Sequence, residues 1–461
     1  MIAFYVVSNM ALFNAVNVKE QYYPEIKADL LIRFVNGTAQ DLVEIVRNLE
    51  IFENIYMINY PVVDTCTGCL RKLNKLRVFS YERKQKQFIH RYLDVLVPNK
   101  IYDVLLSLHM DAHCLYFADY FRKKKKDITL EFFEDGTASY LCTKRYLTYR
   151  PMRWSLSLKK YVVKCIGQAP TRMRLRGNIT NKLYIYAAEQ YDSKKGFLPQ
   201  KLIMSDTCYT ILKTLEKSID PILQMYYEKR YVYYIANAIT KAEPTYDFAY
   251  NILDCIMETL GKNKIIIKTH SSASTENKLQ FASQYEEVAY IDRNVYLLEG
   301  LLLNIPYLEQ RVIISRASTA MLLPKLWLNK EPYLIITLRL FPYYGQYGDP
   351  GGDEYIDMLK RLYSDPSRIL VPNTLGELKT MLRQVQKRVY AERFKTEIPA
   401  NQGLTERDAM PEWMQMKLSK LPEHTECANS NLKCNKNSLQ QNIQETQVEN
   451  IPCGKTKFLK N

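Results

Sequence analysis

Several features that would place a protein in a simple class are missing from this sequence. Only 15 of its 461 residues are glycine, and no stretch of roughly 18 or more apolar residues occurs, which excludes collagen-like chains and membrane-spanning helices. Apolar residues make up 47% and charged residues 25% of the chain. That balance is ordinary for a globular protein and excludes a wholly disordered one. At roughly 150 residues per domain, the length fits two large domains with extensions, or about three domains.

An export signal is also missing. No basic residue precedes the apolar segment 2–7, and Asn9 soon follows it, so this segment is predicted to be a buried strand rather than a signal peptide. A chain of this size needs no disulfides for stability. We therefore expect its 10 cysteines to be reduced thiols in the cytoplasm.

Motifs for metal or redox chemistry are weak. Cys66 and Cys69 form a lone Cys-x-x-Cys pair with no second pair at zinc spacing. His109 and His113 are four residues apart, which is more typical of a helix surface than of a metal site. The segment 351–355, Gly-Gly-Asp-Glu-Tyr, resembles a cyclic-dinucleotide synthase signature. It lacks flanking apolar strands, and we predict a loop that leads into a helix.

Positive charge is what the sequence has in excess. The chain contains 64 Lys and Arg against 49 Asp and Glu, a formal net charge of +15. Residues 144–176 hold ten Lys or Arg and no acidic residue, interleaved with apolar side chains. Such an excess indicates an anionic partner: nucleic acid, acidic lipid or a phosphorylated substrate.

Hydrophobic periodicity predicts alternating strands and helices in two successive regions. In the first region, strands are expected at 2–7, 28–34, 52–58, 128–133 and 182–187, with helices after the first two. In the second, strands are expected at 231–236, 264–268, 288–291, 311–314 and 333–338, with helices between them. This alternation is typical of parallel sheets covered by helices on both faces.

These patterns divide the chain into four parts. A first Rossmann-like domain is predicted over 1–215, containing the basic excursion 144–176, and a second over 216–375. A capping box at Thr374 and Glu377 starts an amphipathic helix over 376–400, expected to pack back across the first domain. The polar, Asn- and Gln-rich tail 401–461 is predicted to be disordered.

Polar residues stand where three predicted strands end, the place where open α/β sheets bind ligands. Glu134, Asp135 and Gly136 follow the strand 128–133. Two adjacent carboxylates beside apolar Phe side chains favour a raised pKa and hence a general base. The alternative is an ordinary Asp-Gly turn.

The second and third candidate segments suit an anionic group. Lys268 ends the apolar strand 264–268, and His270 follows two residues later, on the same face if the extended backbone continues. The alternative for His270 is a surface position on a turn. Ser318 and Thr319 lie between a strand and a helix, where hydroxyl and backbone N–H groups bind anions. Ser318 also suits a plain helix N-cap.

Taken in order, these motifs resemble the bacterial sialyltransferases of glycosyltransferase family 52 and the related lipooligosaccharide and polysialic-acid enzymes. The counterparts in this sequence are Glu134-Asp135-Gly136, Lys268-Thr269-His270, Glu299 and Ser318-Thr319, together with an N-terminal Val7-Ser8-Asn9. The resemblance covers about residues 1–395. Ser271 departs from it, because the family has Pro after the histidine.

The resemblance implies a GT-B fold, with two Rossmann-like domains facing across a cleft. It implies inverting, metal-independent transfer of sialic acid from CMP-sialic acid to a sugar hydroxyl of a lipooligosaccharide or capsular polysaccharide. Asp135 would be the general base, Glu134 would tune it or orient the acceptor, and His270 would assist the leaving phosphate. The implied donor-binding residues are Lys268, Glu299, Ser318, Thr319, Ser8 and Asn9.

No cofactor or metal is expected in this interpretation. The sequence contains no Asp-x-Asp motif, with which many sugar-nucleotide transferases hold a metal on the donor diphosphate. CMP has one phosphate and needs such a clamp less.

The expected partners are the donor, a galactose-terminated glycolipid or polysaccharide acceptor, an anionic membrane surface and a second copy of the chain. Residues 144–176 are expected to attach the protein to the inner face of the bacterial plasma membrane. Two alternatives stay open. One is a glycosyltransferase of the same fold that uses another sugar nucleotide, and the other is a non-catalytic basic protein that binds membrane or nucleic acid. No nucleic-acid-binding module is recognisable, so nucleic acid is not an expected partner.

Overall fold

The computed structural model describes most of the chain up to residue 396. The described residues are 1–33, 40–58, 75–108, 112–134, 136, 139–140, 171, 174–191, 196–216, 230–236, 246–268, 289–291, 305, 307–341 and 352–396. Met1–Thr396 forms one compact unit. The predicted tail 401–461 and most of the basic excursion lie outside the described residues.

Seven parallel strands form the first sheet, in the order β3-β2-β1-β4-β5-β6-β7. They are β1 Ile2–Val6, β2 Ala28–Ile32, β3 Asn54–Met57, β4 Val104–Ser107, β5 Thr129–Phe133, β6 Ile179–Ile185 and β7 Leu198–Lys201. The order reverses between β1 and β4, which are neighbours in the sheet. This reversal is the point at which doubly wound sheets open a crevice for a ligand.

Six parallel strands form the second sheet, in the order β10-β9-β8-β11-β12-β13. They are β8 Val232–Ile235, β9 Ile265–Lys268, β10 Ala289–Ile291, β11 Val312–Ser315, β12 Tyr333–Ile336 and β13 Ile369–Leu370. Its reversal point lies between β8 and β11. Both sheets thus have Rossmann-like strand order, and the predicted fold class, α/β of the GT-B type, is confirmed.

Nine α-helices accompany the strands in the described part of the chain. They are α1 Asn9–Tyr22, α2 Gln40–Asn48, α3 Lys75–Leu96, α4 Ala112–Lys124, α5 Asp206–Glu216, α6 Tyr246–Leu260, α7 Leu323–Leu328, α8 Gly352–Leu362 and α9 Leu375–Thr396. None of the helices in this part of the chain has the length and apolar character needed to cross a bilayer. Of the helices predicted between the strands of the second region, the one at 295–303, after the strand 288–291, lies outside the described residues.

Local sequence signals explain several helix ends. Ser8 accepts a hydrogen bond from the Ala11 N–H at 3.1 Å and caps α1. Gly261, at φ +86°, ends α6 in a backbone conformation that glycine adopts without strain. At the start of α9 the Glu377 N–H donates to Thr374 Oγ1 at 3.1 Å, so the predicted cap is present.

The apolar side of α9 does not cross to the first domain. Leu378, Leu382, Val385 and Val389 are buried in one cluster with side chains of the second sheet, among them Val232. The expectation that this helix packs back across the first domain is wrong for these side chains. The boundaries 215 and 375 stay a prediction. The first sheet ends at Lys201 and the second begins at Val232.

A buried carboxylate joins α3 to α4. Asp119 of α4 is 4% exposed, pairs with Lys86 of α3 and accepts from Arg174 Nη2 at 3.0 Å. Next to it, His90 Nε2 lies 3.1 Å from the Tyr116 carbonyl oxygen. Burial, and then the positive charge of Lys123, lower the pKa of His90 to about 4.

This pKa predicts acid sensitivity. The pKa of His90 in the folded state lies below its value of about 6.5 in the unfolded state. The contribution of His90 to the free energy of unfolding is therefore complete above about pH 6.5 and is lost as the pH drops towards 4. We expect His90→Gln, which keeps a donor for the carbonyl, to remove about 1–2 kcal/mol of that fall, allowing for solvent screening. Denaturant unfolding of the wild type and the variant at pH 7.5 and 4.5 measures how much unfolding free energy each loses between the two pH values. Equal losses in the two proteins would contradict the assignment.

Candidate functional site

The turn after β5 carries the first predicted motif, and its first carboxylate points into the protein. Glu134 is fully buried. Its Oε2 accepts hydrogen bonds from the Tyr140 hydroxyl at 2.6 Å and from the Tyr186 N–H at 3.0 Å. Burial, then the Glu134 charge, raise the pKa of Tyr140 well above its usual value, so this phenol stays a donor. A carboxylate held in this way fixes the turn and does not reach solvent.

Two asparagines of α1 extend this network. Asn14 Nδ2 donates to the Glu134 carbonyl oxygen at 2.8 Å, and Asn14 Oδ1 accepts from the Tyr186 hydroxyl at 3.0 Å. Asn17 donates to the same hydroxyl, and its Oδ1 accepts from the Ser205 N–H at 2.8 Å. Both asparagines are fully buried. Sequence reasoning missed them, although amides three residues apart within an apolar helix are a signal for a buried polar contact.

Gly136 brings the first motif against the third. It adopts φ +60°, in the left-handed region. A Cβ at this position would overlap Thr319 Cγ2 and Oγ1 and would lie 2.8 Å from Thr319 Cβ. Glycine is therefore required at this position for two reasons: the backbone conformation is left-handed, and the Thr319 side chain leaves no room for a Cβ. The carboxyl end of β5 in the first sheet thus meets the segment after β11 in the second.

Ser318 begins the short helical turn Thr319–Met321, as the N-cap alternative predicted. Its Oγ accepts from the Ala320 N–H at 3.3 Å, and its carbonyl oxygen accepts from the Tyr355 hydroxyl at 3.0 Å. Tyr355 is a buried residue of α8. No local sequence pattern predicted this support, because the two residues are 37 positions apart. The helix predicted to follow the segment 351–355 is present as α8, but it begins at Gly352, within the segment expected to be a loop.

The other predicted donor-binding residues that the structure describes stand at strand ends, one in the second sheet and two in the first. Lys268 ends β9, half-buried, and its carbonyl oxygen accepts from the Ala236 N–H at 2.8 Å. Ser8 and Asn9 follow β1 beside the first reversal point. Asn9 is 9% exposed, and its buried Oδ1 accepts no hydrogen bond from the part of the chain that the structure describes. A buried acceptor in this condition suits a ligand or a water molecule.

Three predicted residues lie outside the described residues: Asp135, His270 and Glu299. The chain neighbours of Asp135, Glu134 and Gly136, are both described. Cys66, Cys69 and His109 also lie outside, whereas His113 is buried on α4 rather than on a helix surface. Within the described ranges no three His, Cys, Asp or Glu side chains are grouped so that they could hold a metal ion.

Comparison with known proteins yields structural likeness only. No protein-family model matches the chain, and no curated protein matches it in sequence. The UDP-GlcNAc 2-epimerase of Neisseria meningitidis bound to UDP-GlcNAc is similar at 11% identity, over 84% of this chain and 100% of that one, with a TM-score of 0.43. UGT71G1 of Medicago truncatula, complexed with UDP-glucose, is similar at 12% identity, over 85% and 97%, with a TM-score of 0.43.

A third similar structure is the UDP-GlcNAc 2-epimerase of Methanocaldococcus jannaschii. It shares 13% identity over 84% of this chain and 99% of that one, with a TM-score of 0.40. Identities this low concern the fold alone. The assignment of two Rossmann-like domains rests on the strand order of this chain.

The close approach at Gly136 predicts an unusually costly alanine substitution. Gly136→Ala combines left-handed strain of about 1–2 kcal/mol with overlap at Thr319, so we expect a loss of about 3 kcal/mol or more in unfolding free energy. Two glycines are matched controls. Gly196, at φ +96°, and Gly177, whose φ is not positive, both have open space around a Cβ. Gly196→Ala should show the strain alone, and Gly177→Ala neither effect.

A second substitution separates the two causes. Thr319→Ala removes the two overlapping atoms and leaves only the Cβ at 2.8 Å, so it should recover part of the loss in a Gly136→Ala background. Chemical denaturation of the four variants and the double variant measures these differences. A Gly136→Ala loss no larger than that of Gly196→Ala would show that the contact is unimportant.

Proposed function

We propose that the protein is a glycosyltransferase that moves a sugar from a nucleotide donor to an acceptor hydroxyl. The observation that carries the proposal is the contact of Gly136 with Thr319. It joins the turn after β5, which holds two carboxylates in sequence, to the hydroxyl-bearing segment after β11. Both segments follow carboxyl ends of strands in Rossmann-like sheets, where nucleotides bind. A base on one sheet and phosphate-binding groups on the other suit group transfer.

We further propose that the donor is CMP-sialic acid and the acceptor a cell-surface glycan. Support comes from the order of motifs along the sequence: Glu134-Asp135-Gly136, Lys268-Thr269-His270, Glu299 and Ser318-Thr319. Lys268 ends β9 and Ser318 follows β11, two strands that both neighbour β8. A cation and hydroxyls at these strand ends suit a single phosphate.

The proposed reaction is one displacement with inversion at the anomeric carbon. Asp135 accepts the proton of the acceptor hydroxyl while its oxygen bonds to that carbon, and the bond from the carbon to the CMP phosphate oxygen breaks. The sugar passes through an oxocarbenium-like state. His270, protonated, gives its proton to the departing phosphate or stabilises its charge, together with the hydroxyls of Ser318 and Thr319. No metal is required in this scheme.

The two carboxylates of the first motif receive different roles. Because Glu134 is enclosed by Tyr140, Tyr186 and Asn14, we assign to it the positioning of the turn rather than contact with the acceptor. Asp135, its chain neighbour, is the proposed base. This assignment narrows the sequence-based expectation, in which Glu134 could also orient the acceptor.

Removal of the proposed base is the direct test. General-base catalysis contributes about 10²–10⁴-fold, so Asp135→Asn should lower kcat at least about 100-fold. CMP binding should stay near wild type, because the phosphate-binding groups belong to the second sheet. CMP release from CMP-sialic acid, measured with and without EDTA, checks both points. Unchanged turnover, or loss of wild-type activity in EDTA, would contradict the mechanism.

The donor class is tested by nucleotide binding alone. A ligand present at 100 times its Kd stabilises the folded protein by about 2.7 kcal/mol, so CMP should raise the Tm by several degrees. UDP, GDP and AMP should raise it less. Stabilisation by UDP and not by CMP would favour the alternative, a transferase of the same fold that uses another sugar nucleotide. No response to any nucleotide would count against the whole proposal.

A further inference from the structure

We propose that the outer face of α3, together with the carboxyl end of α4, is a docking surface for an anionic lipid bilayer. We call it the α3–α4 face. It is defined by the exposed side chains Lys84, Phe88, Arg91, Val95, Ile101, Lys123 and Lys126. The inference concerns where the protein sits and is independent of the donor sugar.

Large apolar side chains are unusually exposed on this face. Val95 is 84% exposed, Ile101 56% and Phe88 47%. Lys84, Phe88, Arg91 and Val95 are spaced four, three and four residues apart, so they share one stripe of the helix. The stripe therefore alternates cationic and apolar side chains, a pattern typical of surfaces that lie in the headgroup region of a bilayer.

Cations at the end of α4 contact α3 on the side of that helix that faces α4. Lys123 Nζ lies 3.1 Å from His90 Nδ1 of α3, and Lys124 Nζ donates to the Val97 carbonyl oxygen at 3.3 Å. Asp94, the carboxylate among the exposed α3 positions 83–95, accepts from the Tyr120 hydroxyl at 2.8 Å. Because Tyr120 belongs to α4, the carboxylate of Asp94 points towards that helix.

The basic excursion rejoins the fold at the same pair of helices. Arg174 donates to Asp119 Oδ1 through both Nε, at 3.1 Å, and Nη2, at 3.0 Å. Lys86 of α3 donates to Thr171 Oγ1 at 3.3 Å and also pairs with Asp119. Thr171 and Arg174, described residues near the carboxyl end of the excursion, are thus held at α3 and α4.

The exposed aliphatic side chains favour lipid over nucleic acid. Phosphate and base edges offer Val95 and Ile101 no gain, whereas the bilayer interface removes their apolar area from water. Each Lys or Arg near an anionic leaflet adds about fivefold in affinity, equivalent to about 1 kcal/mol. Several cations with two or three apolar anchors are sufficient for reversible attachment without a span.

The test is sedimentation of the full chain with phosphatidylcholine vesicles that contain either no anionic lipid or about 30% phosphatidylglycerol. The charge variant is Lys84→Gln with Arg91→Gln, and its matched control is Arg383→Gln with Lys387→Gln, exposed on α9. The apolar variant is Val95→Ser with Ile101→Ser, and its control is Leu198→Ser with Ile203→Ser, at 62% and 60% exposure. All eight positions are exposed, so the variants should fold.

Wild type should bind the anionic vesicles, bind neutral ones far less, and weaken as salt is raised. The charge variant should bind roughly tenfold or more weakly and the apolar variant severalfold more weakly, with both controls near wild type. Equal losses in variants and controls would overturn the proposal, as would binding that ignores lipid charge. Loss of binding to a DNA duplex, with vesicle binding unchanged, would identify nucleic acid as the partner instead.

Transfer to a soluble acceptor separates this proposal from the proposed function. Neither variant alters the turn after β5 or the segment after β11, so CMP release in solution should be unchanged. Vesicle binding without CMP release would contradict the proposed function and still support the docking surface. CMP release without vesicle binding would do the reverse.

Discussion

The buried carboxylate of Glu134 is the constraint on which the candidate site depends. An enclosed carboxylate is costly unless it is hydrogen-bonded, and here the Tyr140 hydroxyl and the Tyr186 backbone N–H both donate to Oε2. The same requirement fixes the direction in which the chain leaves β5. Gly136 is thereby set in its left-handed conformation against Thr319. A rigid turn is what a general base needs, because misplacement by about 1 Å costs rate severely.

The network around Glu134 also aligns the two sheets. Phe13 of α1 and Tyr186, which follows β6, both pack against Trp327 of α7, with ring centroids 5.5 and 6.3 Å apart. The Tyr209 hydroxyl donates to the Trp327 carbonyl oxygen at 2.7 Å. Elements that hold the first motif therefore touch the helix that follows the third. A substitution of Glu134 is therefore expected to shift both the turn after β5 and the segment after β11.

The sequence carried enough information for the fold class but not for the directions of side chains at the site. Fully apolar segments such as Ile265–Ile267 predict strands buried on both faces, and the capping pair Thr374 and Glu377 marks α9 without tertiary context. Glu134 is different, because its carboxylate accepts from the Tyr186 N–H, 52 residues away in sequence. A carboxylate at a strand end can face the crevice or the core, and only such long-range contacts decide between them. The helix α3 was missed for a related reason: its exposed apolar side chains blur the helical period.

The distribution of charge between core and surface bears on the partners of the protein. Among the described residues the buried acidic side chains are Asp29, Asp119, Glu131 and Glu134, and the buried Lys and Arg are Lys19, Arg33, Arg230 and Arg311. The numbers are equal, so the described core holds no net charge. Interior carboxylates have internal partners: Asp29 accepts from Tyr102 at 2.7 Å, and Glu131 accepts from Tyr184 at 2.6 Å. The net charge of +15 is therefore not stored in that core, and an exterior charge of one sign acts on anionic partners at a distance. A nucleotide phosphate and an anionic bilayer are the two proposed partners, and the proposals assign them to separate places, the strand ends around Lys268 and the α3–α4 face.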